Sequence, residues 1–146
     1  MSDRASRPPP ERCNLLALRQ ATRRATQFYD EFLAPSGVRG TQFSILAKLR
    51  ASGPTAIGEM ARILVMDRTT LGRNLEPLRR QGMIRLLPGE DRRERRIHMT
   101  EKGEAAIRRA IPLWQRAQAG FEERYGTTGA ERLRGMLRDV ASLEIE

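Results

Sequence analysis

Arg68, Thr69, Thr70, Arg73 and Asn74 crowd into one short stretch, and these side chain types suit the edges and backbone of a nucleic acid. Arginine donates in bidentate fashion to guanine, asparagine pairs with adenine, and threonine contacts a phosphate or a thymine methyl. Arg92, Arg93 and Arg95 follow in the segment GEDRRERR, residues 89–96. Three acids share that segment, so its net charge is small, but an arginine at a loop tip can enter a narrow minor groove. Asp91 is expected to pin Arg93 through a bidentate carboxylate contact, ordering the tip before it meets a ligand. The alternative for any one of these arginines is a solvated loop.

Other reactive groups are sparse. Cys13 and His98 are each single, which excludes an internal disulfide and a zinc site built on paired thiolates. The chain has no defensible paired carboxylates, metal cluster, glycine-rich phosphate loop or activated nucleophile, so the expectation is a protein that is not an enzyme and uses no cofactor or metal. Its 27 basic residues against 18 acidic ones give a net charge of +9, pointing to a polyanionic partner, nucleic acid foremost. Almost all the basic residues are arginine, an excess that coding bias or a solvated surface also produces; position must decide. At 146 residues the chain is the size of one domain. No apolar run approaches the roughly 20 residues of a membrane span. The opening MSDRASRPPPERC lacks the apolar core of a signal peptide, so a soluble cytoplasmic protein is expected, associated with the nucleoid through DNA, with residues 1–10 a disordered tail.

These groups need elements to hold them. From Glu11 to Leu33, apolar residues at 15, 18, 21, 25, 28 and 32 alternate steps of three and four, the pattern of one helix face. Pro35 and Gly37 end it. Thr41 is positioned to cap a second helix, Gln42 to about Ala51. A short third helix spans about Ile57 to Leu64. Asp67 then caps a fourth, in which Leu71, Leu75 and Leu78 take one face and leave Arg68, Thr69, Gly72, Arg73, Glu76 and Arg79 outward. Met83–Leu87 and Arg95–Met99 read as a two-stranded hairpin turning at Pro88 and Gly89. Thr100 starts a long helix kinked near Pro112, and Thr128 with Glu131 forms a capping box for a last one. The fold class is thus mainly α with a small β hairpin: helix, tight turn, helix, then a basic β wing.

In this order the segments GTQFSILAKL (40–49), IGEMARILVMDRTTLGRNLEPLRRQGMI (57–84), DRRERRIHMTEKG (91–103) and IPLWQRAQ (111–118) resemble the MarR-type winged helix-turn-helix transcription regulators. The resemblance covers nearly the whole chain from Cys13 onward. It implies a homodimer whose N- and C-terminal helices intertwine, recognition helices in successive major grooves and wings in the flanking minor grooves. The organisation it suggests is a single domain over 11–146, with a winged lobe at about 41–100 and dimerisation helices at about 11–34 and 100–145. Family members usually repress transcription, and many are released by phenolic or other small ligands or by oxidation. Gly72 departs from the pattern, since related chains often carry Thr or Ser there. Glycine inside a helix costs about 1 kcal/mol relative to alanine, so either the backbone approaches DNA closely at this point or the helix tolerates a defect.

The apolar stripes on the first and last two helices exceed what an internal core needs, and a second copy is the economical partner. Two-fold symmetry then predicts a pseudo-palindromic operator with half-sites ~10 bp apart. Phe28, Tyr29 and Trp114 are candidate lining residues for an effector crevice, with ordinary core packing as their alternative. Cys13 has two readings. Some relatives sense peroxide with an N-terminal cysteine held by tyrosines, and Tyr29 falls near one such position; yet Cys13 is displaced and lacks a second tyrosine, which favours a buried or incidental thiol. The leading function is a sequence-specific transcription regulator that binds a pseudo-palindromic double-stranded DNA operator as a homodimer, a repressor released by a small ligand. Its rivals are a peroxide-responsive regulator of the same kind and an adaptor docking protein or RNA on the winged lobe.

Overall fold

The computed structural model describes residues 9–144. Of the expected tail, residues 1–8 lie outside the described residues, and Pro10–Arg12 form a 3-10 turn. Helix α1 (Asn14–Leu33) therefore begins three residues later than the apolar spacing suggests, because Cys13 caps it: its Sγ accepts from the Leu16 N–H at 3.4 Å. The helix passes through a 3-10 turn, Ala34–Ser36, into α2 (Gly40–Ser52). Thr41 is not the cap of α2. The Asp30 carboxylate reaches across from α1 to accept the Gly40 N–H at 2.7 Å, and the Gln42 side chain accepts the Arg39 N–H at 3.0 Å, so the first turn is satisfied before Thr41 is needed.

A two-residue strand, β1 (Thr55–Ala56), precedes α3 (Ile57–Ile63) and α4 (Arg68–Arg80). Val65 turns the chain between these helices at φ 53°, a conformation that β-branched residues seldom adopt. The hairpin strands are β2 (Ile84–Pro88) and β3 (Arg95–Met99). The sheet has three strands rather than the expected two, in the antiparallel order β1-β3-β2, with Thr55 opposite Ile97 and Leu86 opposite the same residue on the other side. Two residues are too few for a period-2 pattern, which is why β1 leaves no trace in the sequence. Pro88 sits in β2 opposite Arg95, so the turn falls later, on residues 89–94.

Helix α5 (Glu101–Tyr125) runs through Pro112, and α6 (Thr127–Ala141) follows after Gly126 alone. The expected Thr128–Glu131 capping box is not what starts α6. A one-residue connection requires a sharp reversal, supplied by Gly126 at φ 91°, which already places Thr128 inside the helix.

Leu33, Ile45, Leu46, Met60, Leu71, Leu78, Ile84, Ile97 and Ile107 are fully buried. One core thus joins the end of α1, the three short helices, the sheet and the first half of α5. The base of the wing is fastened to α5 from two sides. Thr100 donates its N–H to the Met83 carbonyl at 3.0 Å and its hydroxyl to the Gly82 carbonyl at 2.6 Å. Gly103 packs so tightly on the Met83 carbonyl that a Cβ there would collide with it. At the other end α6 rests on α5 through Ala130 and an Arg134–Glu122 ion pair of 3.4 Å, while its Met136, Leu137 and Val140 remain exposed, as does Leu15 near the start of α1. Among the described residues, no helix is long and apolar enough to cross a membrane.

Candidate nucleic-acid interface

Leu71, Leu75 and Leu78 seat α4 on the core. At 100° per residue, the side opposite them carries Thr69, Arg73, Glu76 and Arg80 in one straight stripe, all exposed. Gly72 flanks the stripe, and a Cβ placed there would meet open space. No packing requirement within the chain explains this glycine. Pro77 also lies inside α4; its ring has no N–H, so the Arg73 carbonyl loses its partner four residues on.

The start of α4 is locked by its own side chains. Asp67 Oδ1 accepts the Thr70 N–H at 2.7 Å, and Oδ2 accepts the Thr70 hydroxyl at 2.9 Å. These bonds hold the Asp67 carboxyl below the usual carboxylate range. Asn74 is half-buried and donates its Nδ2 to the Thr70 carbonyl at 3.0 Å and towards Met66 Sδ at 3.7 Å. Thr70 and Asn74, which the sequence suggests as readers of DNA, have these donors engaged within the helix. Thr69 and Arg73 stand outward.

Arg68 takes a different course, because its guanidinium lies against Gly58 of α3. There it lines a crevice of about 450 Å³ together with Asp91, Arg93, Glu94 and Arg95 of the wing. The structure thus brings Arg68, Arg93 and Arg95 together at the junction of helix and wing, whereas Arg92 stands exposed on the tip.

Asp91 orders the tip differently from the expectation. Its Oδ1 accepts the backbone N–H of Arg93 at 3.1 Å, and its carbonyl accepts the Glu94 N–H at 2.9 Å. A carboxylate two residues upstream of an amide closes an Asx turn more readily than it reaches a guanidinium. The bond expected at the Arg93 side chain is therefore made by its backbone. Arg96, by contrast, is tied down, to Glu94 Oε1 at 3.2 Å and the Pro54 carbonyl at 3.0 Å.

One ion pair on the exposed side of α4 escaped the sequence reading. Glu76 accepts from Arg79 with both oxygens, Nε at 2.9 Å and Nη2 at 2.6 Å. The contact lowers the Glu76 carboxyl and raises the Arg79 guanidinium from their usual ranges. The i, i+3 spacing was the available signal.

A second cavity, of about 410 Å³, opens between α1, α2 and α5. Tyr29 and Trp114 line it, but Phe28 does not; it turns away to pack edge-on against Tyr29 and Phe121 and under the Arg124 guanidinium. Phe43, Thr26, Thr41 and Gln118 also line the wall. Phe43 stacks on Trp114 at 5.6 Å and 12°, and the Tyr29 hydroxyl donates to Gln118 Oε1 at 2.5 Å. Burial, then the nearby Glu122 charge, raises the Tyr29 phenol above its usual value, with Arg134 opposing. Cys13 is exposed rather than buried. Sixteen residues of helix, ~24 Å, separate it from Tyr29, so the two do not meet within one chain.

A family model described as the MarR family matches residues 40–94. An uncharacterized HTH-type transcriptional regulator of Bacillus cereus is 30% identical over 106 residues, spanning 73% of this chain and 71% of that one. The HTH-type transcriptional repressor NicR of Pseudomonas putida is 29% identical over 96 residues, 65% of this chain and 61% of that protein. Among solved structures, the M. tuberculosis transcriptional regulator MosR in complex with DNA is similar at 37% identity and a TM-score of 0.75, over 90% of this chain and 99% of that one.

Proposed function

Because the chain belongs to the MarR family, we propose that it is a homodimeric transcription regulator that binds a pseudo-palindromic DNA duplex and represses the genes beside it. The observation that carries this reading is the exposed stripe Thr69–Arg73–Glu76–Arg80 on a leucine-seated helix, standing next to a wing whose Arg93 and Arg95 share a crevice with Arg68. A helix of this kind fits a major groove. A winged tip fits the minor groove beside it. The similarity to a DNA-bound regulator over nearly its whole length supports the same docking.

In this reading Arg73 and Thr69 contact base edges, Arg68 reaches the duplex from the helix–wing junction, and Arg92, Arg93 and Arg95 contact the minor groove and its phosphates. Asp67, Thr70 and Asn74 hold the helix start, and Asp91 holds the tip. The domain comprises residues 11–146, its lobe about 41–100, and its terminal helices pair with those of a second copy through Leu15, Met136, Leu137 and Val140, which the single chain leaves exposed. The cavity beside Tyr29 and Trp114 takes a small aromatic effector, since it lies between the dimer helices and the DNA-binding lobe and is walled by stacked rings and hydroxyls. The protein acts in the cytoplasm on the nucleoid.

The test is selection of duplexes from fragmented genomic DNA with the purified full chain. One enriched inverted repeat with half-sites ~10 bp apart supports the reading; recovery of fragments with no shared motif overturns it.

A further inference from the structure

Resting on that DNA-binding reading, we infer that Glu76 is a base-reading residue that selects cytosine in each half-site, and that Arg79 is the positioning residue that aims it. Glu76 stands in the outward stripe of α4, between Arg73 and Arg80. A carboxylate in that place repels phosphates, so it lowers affinity everywhere except opposite a hydrogen-bond donor. Major-groove edges offer two such donors. Adenine presents its amine beside the N7 acceptor, which repels a carboxylate; cytosine presents its N4 amine as its only polar group there. The lone carboxylate therefore favours cytosine.

The ion pair makes this selective. Both Glu76 oxygens are held by Arg79 at 2.9 and 2.6 Å, so the carboxylate is fixed in direction before DNA arrives. Each oxygen keeps lone-pair capacity beyond the one bond it accepts from Arg79. The pairing also keeps Glu76 charged, and hence an obligate acceptor, throughout the neutral range.

The experiment is selection from a random duplex library with the full chain as wild type and as Glu76→Gln, Arg79→Ala and Arg79→Lys. The wild type is expected to enrich an inverted repeat with a cytosine in each half. Glu76→Gln loses that preference, by about tenfold at that position, or moves it to adenine, which glutamine pairs bidentately; the other positions hold. Arg79→Ala blurs the same position alone, and Arg79→Lys, which restores one contact, sharpens it again. A Glu76→Gln motif with every position weighted as in wild type overturns the inference, even if the variant binds all duplexes more tightly. A wild type that enriches no motif overturns the DNA-binding reading itself, a distinct result.

Discussion

Asp67 grips Thr70 twice, Oδ1 on its amide at 2.7 Å and Oδ2 on its hydroxyl at 2.9 Å. One short side chain thereby satisfies an orphan donor of the first turn and holds a hydroxyl that sequence alone offers to DNA. Thr70→Ala is accordingly expected to lower the thermal midpoint more clearly than it changes base preference.

This grip titrates. The folded-state carboxyl lies below its unfolded value, so the unfolded chain binds the proton first as pH falls. The stabilisation is complete above the ordinary aspartate range near pH 4 and disappears as pH drops through the folded value. Asp67→Asn keeps a capping oxygen without the titration. Thermal midpoints of the two proteins, measured at one concentration from pH 7 to pH 2, should converge at the acid end. Parallel curves would mean that Asp67 is not the titrating cap.

Arg73→Ala should weaken binding to the selected operator by about 1–3 kcal/mol and relax preference at one position per half-site. Binding of the wild type should fall with salt, log K dropping by roughly 0.9 per phosphate neutralised. Fluorescence anisotropy on operator and random duplexes reads both. Equal losses on the two duplexes would reassign Arg73 to a backbone contact.

Gly72 has open space where a Cβ would go. Gly72→Ala should therefore raise stability by about 1 kcal/mol, the helix propensity difference, while reducing operator affinity if DNA approaches the bare backbone. Denaturant unfolding and operator titration on the same variant separate the two effects. Gain of stability with unaltered affinity would make the glycine a tolerated defect.

Gly103 is the opposite case, since a Cβ there strikes the Met83 carbonyl. Gly103→Ala should destabilise by about 3 kcal/mol, at the upper end of overpacking costs, and release the wing from α5. Chemical denaturation checks it.

Met136→Glu and Leu137→Glu replace exposed side chains and leave the secondary structure of the lone chain intact. Sedimentation should nonetheless move from two subunits to one, and operator binding should fall with it. A variant that still sediments as wild type would place the subunit contact elsewhere.

The helices were legible because leucine spacing and a capping aspartate act within a few residues. Asp67 announces α4 by position alone. What escaped were relationships between distant segments. Asp30 caps α2 from another helix, so Thr41 looked necessary when it was not. β1 has two residues and exists only because β3 lies alongside. The crevice at the wing was half visible: the arginines were plain, but nothing local says that Arg68 turns back over Gly58 to join them. Phe28 and Phe43 are both aromatic residues on helix faces, and only the crossing of α1, α2 and α5 decides which of them meets Trp114.

Only Thr100 separates β3 from α5, and its two bonds to Gly82 and Met83 clamp that joint. Strand and helix are therefore a single crank. The far end of α5 lies ~37 Å away along its axis, while its first half is keyed into the core by Ala106, Ile107 and Ala110. β3, with its Arg95, therefore shares one footing with the start of α5.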